Sequence, residues 1–374
     1  MSFKEISTED LQKVIAELGN EFATRDVSEN HRLRDAYPDL AQSSHYHALI
    51  GRAISENRGH LGLEAVPKKT ARGSIWRKRK IRDSKFRRRM RRHQSWYREE
   101  ILGSPCGVGP RKNSEQLLGN MLTPEAGKSG KNFLNDEIHQ VAKDRLAEGG
   151  SGVEAYRLLH NMLSSQPMCF NLFGPLVRDL KLATTLWRQL LGDQVAKVEM
   201  VAIEWAPKPP AEYLDDKTAF DAFVEYRRPD GKLAFIGIET KLAEPFSPTK
   251  HDRPQYRNLM TPESPWLLDS KSREGLLANN QLWRNHLLAV AMLRHPQSEY
   301  ASGQVMLVRH PEDDPCQKRV TRYRKFLRSG DDSFIDQPLD ELVSQWQSAV
   351  PEHARSWLES FRLRYLELSR SEEN

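Results

Sequence analysis

The sequence predicts an α/β protein with a helical, basic N-terminal region, and three observations carry that prediction. Three strand-like runs follow one another, Val198 to Trp205, Thr218 to Tyr226 and Leu233 to Lys241, each rich in apolar or β-branched residues. Helical apolar spacing brackets them, over Val153 to Leu163 and Leu176 to Leu191 before and Leu276 to Leu293 after, and a fourth strand is expected at Gln304 to Val308. Helices on both sides of a strand block imply a mixed central sheet flanked by helices. The chain's net positive excess, finally, comes from one early segment.

From the start of the chain, Ser7 or Thr8 offers an N-cap to a helix whose apolar residues are Leu11, Val14, Ile15 and Leu18, and a second helix includes His47 to Ile54. Between Lys68 and Arg98 stand fifteen Lys/Arg and one acid, Asp83, so this segment carries +14 in a chain whose total is +6, leaving the remainder acidic. With no Gly or Pro between Gly73 and Gly103, it reads as one long helix, with Phe86, Met90, Tyr97 and Ile101 as a narrow packing stripe. Arg77, Lys78, Arg79, Lys80, Arg87, Arg88, Arg89, Arg91 and Arg92 are then expected to face outward and contact nucleic-acid phosphates. The competing reading is an arginine-rich helix that is simply solvated or pairs with the chain's own acids. Trp76, Trp96 and Tyr97 are placed either in stacking on bases or, more in keeping with their position, in a core. Gly and Pro from Gly103 to Pro110 mark a boundary, giving an expected N-terminal region of residues 1–110 and a main domain of 111–374. Two tail helices, Leu339 to Val350 and Glu352 to Leu368, are expected to cover one side of its core.

Composition removes several function classes. No apolar run approaches the ~20 residues of a membrane span, the first twenty residues lack a secretory pattern, and the expected compartment is the cytoplasm. Cys106, Cys169 and Cys316 are too scattered for a disulfide framework or a structural zinc site. Gly127-Lys128-Ser129 lacks the first glycine of a phosphate loop, Gly149-Gly150-Ser151-Gly152-Val153 lacks the last glycine of a hydrolase elbow, and His45 and His47 have no third ligand nearby.

The chemistry concentrates in the second and third strand-like runs. Alternation puts Phe220, Ala222, Val224 and Tyr226 on one face and Asp221, Phe223 and Glu225 on the other. Glu239 and Lys241, two apart, share a face. The connection Arg227-Arg228-Pro229-Asp230-Gly231-Lys232 has turn chemistry, and a hairpin centred near Asp230 sets Asp221 opposite Glu239. Carboxylates opposed at roughly 5 Å repel unless a cation lies between them, and Mg²⁺ or Mn²⁺ suits carboxylates, a backbone carbonyl such as that of Thr240, and water. Lys241 would then steady a hydroxide or phosphate oxygens. A solvated face with a cross-strand ion pair is the plain alternative.

These residues resemble the PD-(D/E)XK phosphodiesterase superfamily, which includes many restriction endonucleases: Asp221 fits its first acid and Glu239-Thr240-Lys241 its tripeptide, with Phe220 where the name has proline. The stretch from Asn161 through Ser164-Ser165-Gln166-Pro167 to Gly174-Pro175 is similar to the signature of a bacterial restriction-endonuclease-like branch, and the resemblance continues through Glu204 and Gln281-Leu282-Trp283-Arg284, spanning about Trp96 to His310. It implies a restriction-endonuclease-like core and a Mg²⁺- or Mn²⁺-dependent nuclease with Asp221 and Glu239 on the metal. Lys241 assists the attacking water, and Glu204 serves a second metal or an outer position. Gln281 and Arg284, on one helical face, would orient the acids or contact phosphate; Gln166 and Asn171 are candidates to line the site, while most of the signature serves a helix-to-loop passage through Pro167. DNA is the expected substrate, in restriction or defence, with RNA not excluded and a homodimer allowed. The competing function is a non-catalytic nucleic-acid-binding protein that retains the nuclease fold.

Overall fold

The computed structural model describes residues 6–19, 21–58, 61, 63–78, 83–109, 116–149 and 152–372. The chain divides into two compact units, Met1–Arg82 and Asp83–Asn374, whereas the sequence suggested a division near residue 110.

The first unit contains helices α1 (Thr8–Glu17), α2 (Thr24–Ser28), α3 (His31–Ala36), α4 (Pro38–Ala41) and α5 (Tyr46–Asn57) and strands β1 (Glu21–Ala23), β2 (Leu63–Thr70) and β3 (Gly73–Lys78). Ser7 caps α1 by accepting from the amide of Asp10 at 3.1 Å. The helical N-terminal region thus also holds a three-stranded sheet, and the expectation of one long basic helix is corrected. Arg77 and Lys78 lie on a strand, and a helix starts only at Lys85, capped by Ser84, whose hydroxyl accepts from the Arg87 amide at 3.0 Å. A run of Lys and Arg favours helix only mildly. The β2–β3 hairpin instead buries Trp76, whose indole N–H donates to Thr24 Oγ1 at 2.9 Å.

In the second unit a small hairpin, β4 (Cys106–Val108) with β5 (Leu117–Leu122), follows helix α6 (Lys85–Trp96) and a π-helical turn, Tyr97–Ile101. Helices α7 (Pro124–Lys128), α8 (Asp136–Ala147), α9 (Ala155–His160), α10 (Ser165–Arg178) and α11 (Leu180–Leu191) lead into strands β6 (Lys197–Trp205), β7 (Phe220–Arg227) and β8 (Leu233–Lys241). Then come α12 (Pro254–Asn258), α13 (Ser270–Ala278), α14 (Asn280–Arg294), β9 (Tyr300–Arg309), α15 (Asp314–Arg324), β10 (Phe334–Pro338), α16 (Leu339–Ala349) and α17 (Glu352–Tyr365). The five-stranded sheet has the order β10-β9-β8-β7-β6. Its β6-β7-β8 part is antiparallel, and β9 and β10 add in parallel.

One face of this mixed sheet buries Val201, Ala222, Val224, Ile236 and Ile238 under α8, α10, α11, α16 and α17; the other buries Phe223, Phe235, Val305 and Leu307 under α14 and α15. Phe220 departs from simple alternation, its ring joining the Phe223 face. The cause is Gly237: a Cβ there would lie 2.3 Å from Phe220 Cε1, so the missing side chain is the slot that the ring fills.

The signature stretch is a helix rather than a passage into a loop. Pro167 sits in the first turn of α10, where a missing N–H costs nothing. Pro175 lies inside the helix and deprives the Asn171 carbonyl of its usual donor. The indole N–H of Trp357, on α17, donates to that carbonyl at 2.7 Å. Asn171 itself is structural: its amide donates to Asn132 O at 3.0 Å and to the Tyr365 hydroxyl at 2.9 Å.

Two outcomes are expected from this packing. Gly237→Ala should destabilise the protein by about 1–3 kcal/mol through overpacking against Phe220, read from denaturant unfolding. His286 is buried between the Tyr323 and Ser333 hydroxyls, at 2.9 and 2.7 Å, and burial pushes its pKa down to about 3. The folded protein therefore leaves His286 neutral where the unfolded chain protonates it, near pH 6.5, so stability falls as the pH drops from there toward 3. Replacing His286 with Gln should flatten that slope in unfolding curves measured across the window.

Candidate active site

The hairpin turn determines what meets at the end of the sheet. The Arg228 amide donates to Lys232 O and the Gly231 amide to Arg228 O, both at 2.9 Å, and Gly231 supplies a positive φ of 79°. In the resulting register Ala222 faces Ile238 and Arg227 faces Leu233, which is the pairing of a turn centred on residue 230. Asp221 and the Glu239-Thr240-Lys241 tripeptide consequently occupy the same end of the sheet.

Asp221 Oδ2 accepts two hydrogen bonds from Thr240, from its amide at 2.7 Å and its hydroxyl at 2.8 Å; among the described residues no hydrogen bond ends on Oδ1. Glu239 is 3 % exposed and fully engaged: Oε1 accepts from Gln281 Nε2 at 2.7 Å and pairs with Lys241 Nζ at 2.9 Å, while Oε2 accepts from Asn285 Nδ2 at 2.6 Å. Gln281 also accepts at Oε1, from Lys241 Nζ and from the Ser247 amide, each at 3.2 Å. One amide at the start of α14 thus spans the acid, the lysine and the segment after β8. The Phe246 ring lies 5.1 Å from Lys241 Nζ and 5.8 Å from the Arg319 guanidinium carbon.

Burial, then Glu239 and Glu204, push the Asp221 carboxyl well above the ordinary range. Burial also raises Glu204, against a hydrogen bond from Gln166. For Lys241 burial works against the ammonium, but Glu239, Asp221 and Glu244 outweigh it, so its pKa rises and the side chain stays charged at neutral pH.

Glu204 reaches this group from the end of β6 with a left-handed backbone, φ 53°. Arg145 secures the conformation by donating to Ile203 O at 3.1 Å and to Glu204 O at 2.8 Å. The carboxylate Oε1 accepts from Gln166 Nε2 at 2.7 Å, and a Cβ at Gly152 would stand 2.7 Å from Oε2. Strain of this kind at a non-glycine persists where the surroundings over-determine it. The opposite atom of the Gln166 amide, Oε1, is buried without a hydrogen-bond partner. A cleft of about 740 Å³ runs along β6 past Glu204 and Trp205 to Lys217, Thr218 and Ala219, just before β7.

Other sequence-predicted residues lie elsewhere. Arg284 does not join the acids: its guanidinium donates to Thr218 Oγ1 at 2.6 Å, to the Tyr256 hydroxyl at 3.1 Å and to Asp216 Oδ2 at 3.1 Å. In the basic segment Arg77 pairs with Glu21 at 2.6 Å, and Arg79 and Lys80 lie outside the described residues. Arg87 and Arg91 pair with Asp83 at 3.1 and 2.7 Å, Arg89 with Glu372 at 2.6 Å and also with Glu312, and Arg88 donates to the Asp83 carbonyl at 2.7 Å. Arg92 is exposed, with no ion pair among the described residues. Asn285 and Glu244 were missed; the latter accepts from the amides of Leu242 at 3.2 Å, Ala243 at 3.1 Å and Ser165. The only sequence signal for Asn285 is its position one turn after Gln281.

The donor set fits a hard divalent cation. Three neighbouring carboxyls against one ammonium leave a net charge of −2 when all are ionised, all available donors are oxygens, and Asp221 Oδ1 and Gln166 Oε1 are unpartnered. Among the described residues no group of three or more His, Cys, Asp or Glu is close enough to hold an ion alone, so carbonyls and water would complete the coordination. In chelator, Asp221→Asn should raise the melting temperature, since Asn keeps an acceptor for Thr240 and removes a buried like charge. Mn²⁺ should then stabilise the wild type in thermal melts and leave the variant unmoved; the opposite pattern counts against the fit.

No helix among the described residues is long and apolar enough to cross a membrane. No curated protein and no solved structure matches the chain. A family model described as PD-(D/E)XK nuclease superfamily matches residues 81–367, the whole span that holds the sheet and the acid group. By that match and by the five-stranded mixed sheet with its flanking helices, the chain belongs to the PD-(D/E)XK nuclease superfamily, whose members are metal-dependent nucleases.

Proposed function

We propose that the second unit hydrolyses DNA phosphodiester bonds, with Asp221, Glu239 and the backbone of Thr240 holding Mg²⁺ or Mn²⁺ and Glu204 in a second-metal or outer position. The observation that carries this reading is the buried group at the end of β7 and β8, where Lys241 is held between Glu239 and Gln281 beside an Asp221 carboxyl raised by burial and then by its acidic neighbours. A bound divalent ion supplies charge neutralisation at the phosphate and a more acidic water.

The chain's own residues do the rest. Thr240 fixes Asp221 with two donors, leaving its other oxygen open. Gln281 and Asn285 lock the two oxygens of Glu239, so its orientation is set before anything binds. Because the Lys241 pKa is raised, its ammonium acts as a charge and hydrogen-bond donor toward phosphate oxygens or the attacking hydroxide, and not as a proton-abstracting base. DNA, in a restriction or defence setting, is favoured by the family's implied nucleic-acid substrate. Hydrolysis of RNA by the same group is a further outcome of the test.

Plasmid, linear DNA and RNA incubated with the purified protein and Mg²⁺ or Mn²⁺ should show cleavage of DNA that EDTA abolishes. Asp221→Ala and Lys241→Ala should each lower the rate by about 10²-fold or more, the scale of losing an electrostatic catalytic group. Equal cleavage by the wild type and both variants rejects the assignment, and cleavage of RNA alone rejects the substrate.

A further inference from the structure

The first unit lies almost wholly outside the matched span, and its topology is that of a winged helix. The elements run α1, β1, α2 to α4, α5, then the β2–β3 hairpin, and the antiparallel sheet has the order β1-β3-β2. Such an arrangement holds a helix against a small sheet with one face free. Here that helix is α5. Tyr46, Ile50 and Ile54, four apart, are buried with Leu11, Val27, Leu63 and Trp76 in the unit's core. Ala48, Arg52 and Ser55 recur at i, i+4 and i+7 on the opposite side, and all three are exposed. Glu56 is the one acid on the helix, at the margin of that stripe.

Charge within the unit is uneven along the chain. From Arg52 to Arg82 there are ten Lys/Arg against two acids, whereas from Met1 to Gly51 five Lys/Arg stand against nine acids. The early arginines are largely neutralised: Arg25 pairs with Glu29 at 3.0 Å, and Arg32 with Glu17. Arg72, at the hairpin turn, pairs with Asp26 at 2.7 Å and Glu29 at 3.1 Å. No ion pair among the described residues engages Arg52 or Arg58. The hairpin also approaches the helix, since a Cβ at Gly73 would come within 3.4 Å of His47 Nε2.

We infer that residues 6–78 form a module that binds double-stranded DNA, with α5 in the major groove and the Ala48, Arg52, Ser55 stripe against the base edges. A helix of this diameter fits the roughly 12 Å width of that groove. Each exposed residue suits the surface. Arg52 matches the paired acceptors of guanine, Ala48 is small enough to approach a thymine methyl, and the Ser55 hydroxyl can donate or accept. Arg58, exposed one residue past the end of α5 and in no ion pair among the described residues, adds phosphate attraction. This binding site is independent of the catalytic reading, because it uses none of its residues.

The test uses the full-length protein in EDTA. Sequences enriched from a randomised 30-base-pair DNA pool are measured by fluorescence anisotropy beside the unselected pool, single-stranded DNA and double-stranded RNA. The expected result is preferential binding of the enriched duplex, weakened about five-fold or more by Arg52→Ala and further by Ala48→Glu, with both variants retaining the wild-type circular dichroism spectrum. Asp221→Asn should leave the preference for the enriched duplex over the unselected pool unchanged, and Arg52→Ala should leave Mn²⁺-dependent hydrolysis of bis(p-nitrophenyl) phosphate unchanged, so failure of one reading is distinguishable from failure of the other. The inference is overturned if no sequence is enriched, if single-stranded DNA or duplex RNA binds as tightly, or if the α5 variants bind the enriched duplex within two-fold of wild type.

Discussion

Burying several carboxyls beside one another at the end of a sheet is the constraint to which much of the second unit responds. Asp221, Glu239 and Glu204 arrive on three adjacent strands, and each needs its own support. Asp221 is gripped by Thr240, Glu239 by two amides of α14 and a lysine, and Glu204 by Gln166 together with an arginine that fixes its backbone. Supports drawn from both helical layers mean that the site is a product of the whole α/β/α sandwich. Neither the hairpin nor any one helix would hold it.

Much of this was legible in the sequence where local chemistry dictates geometry. The Arg228-Pro229-Asp230-Gly231 turn admits one sensible register, so the convergence of Asp221 with Glu239 and Lys241 could be read from spacing alone, and β8 was bounded correctly from Leu233 to Lys241. Gln281 was read, with Arg284, as orienting the acids or meeting phosphate; its amide donates to Glu239 and accepts from Lys241. Pattern could not reveal Asn285, because a polar residue one turn along an apolar helix gives no sign that its partner is a glutamate on a strand.

The errors share a physical origin in contacts distant along the chain. Two prolines in the α10 stretch argue for a loop until Trp357 is seen to satisfy the carbonyl that Pro175 orphans. Arginines counted as free for phosphate proved to be bound: Arg89 pairs with Glu312 and Glu372, more than two hundred residues away, and Arg284 with Asp216. Lys and Arg between residues 68 and 78 carried no periodicity that could announce a hairpin, and Trp76, pointing into a core, explains why strands form there.

The bond from Trp357 to Asn171 also has a bearing on the order in which the protein comes together. A chain emerging from the ribosome exposes α10 long before α17 exists, and until then the Asn171 carbonyl that Pro175 leaves free has only water as a donor. Contacts that close so long a stretch of chain form late. The support for Glu204 is thus among the last parts to become rigid, so a growing polypeptide would hold its strands and turn before it holds a finished acidic centre.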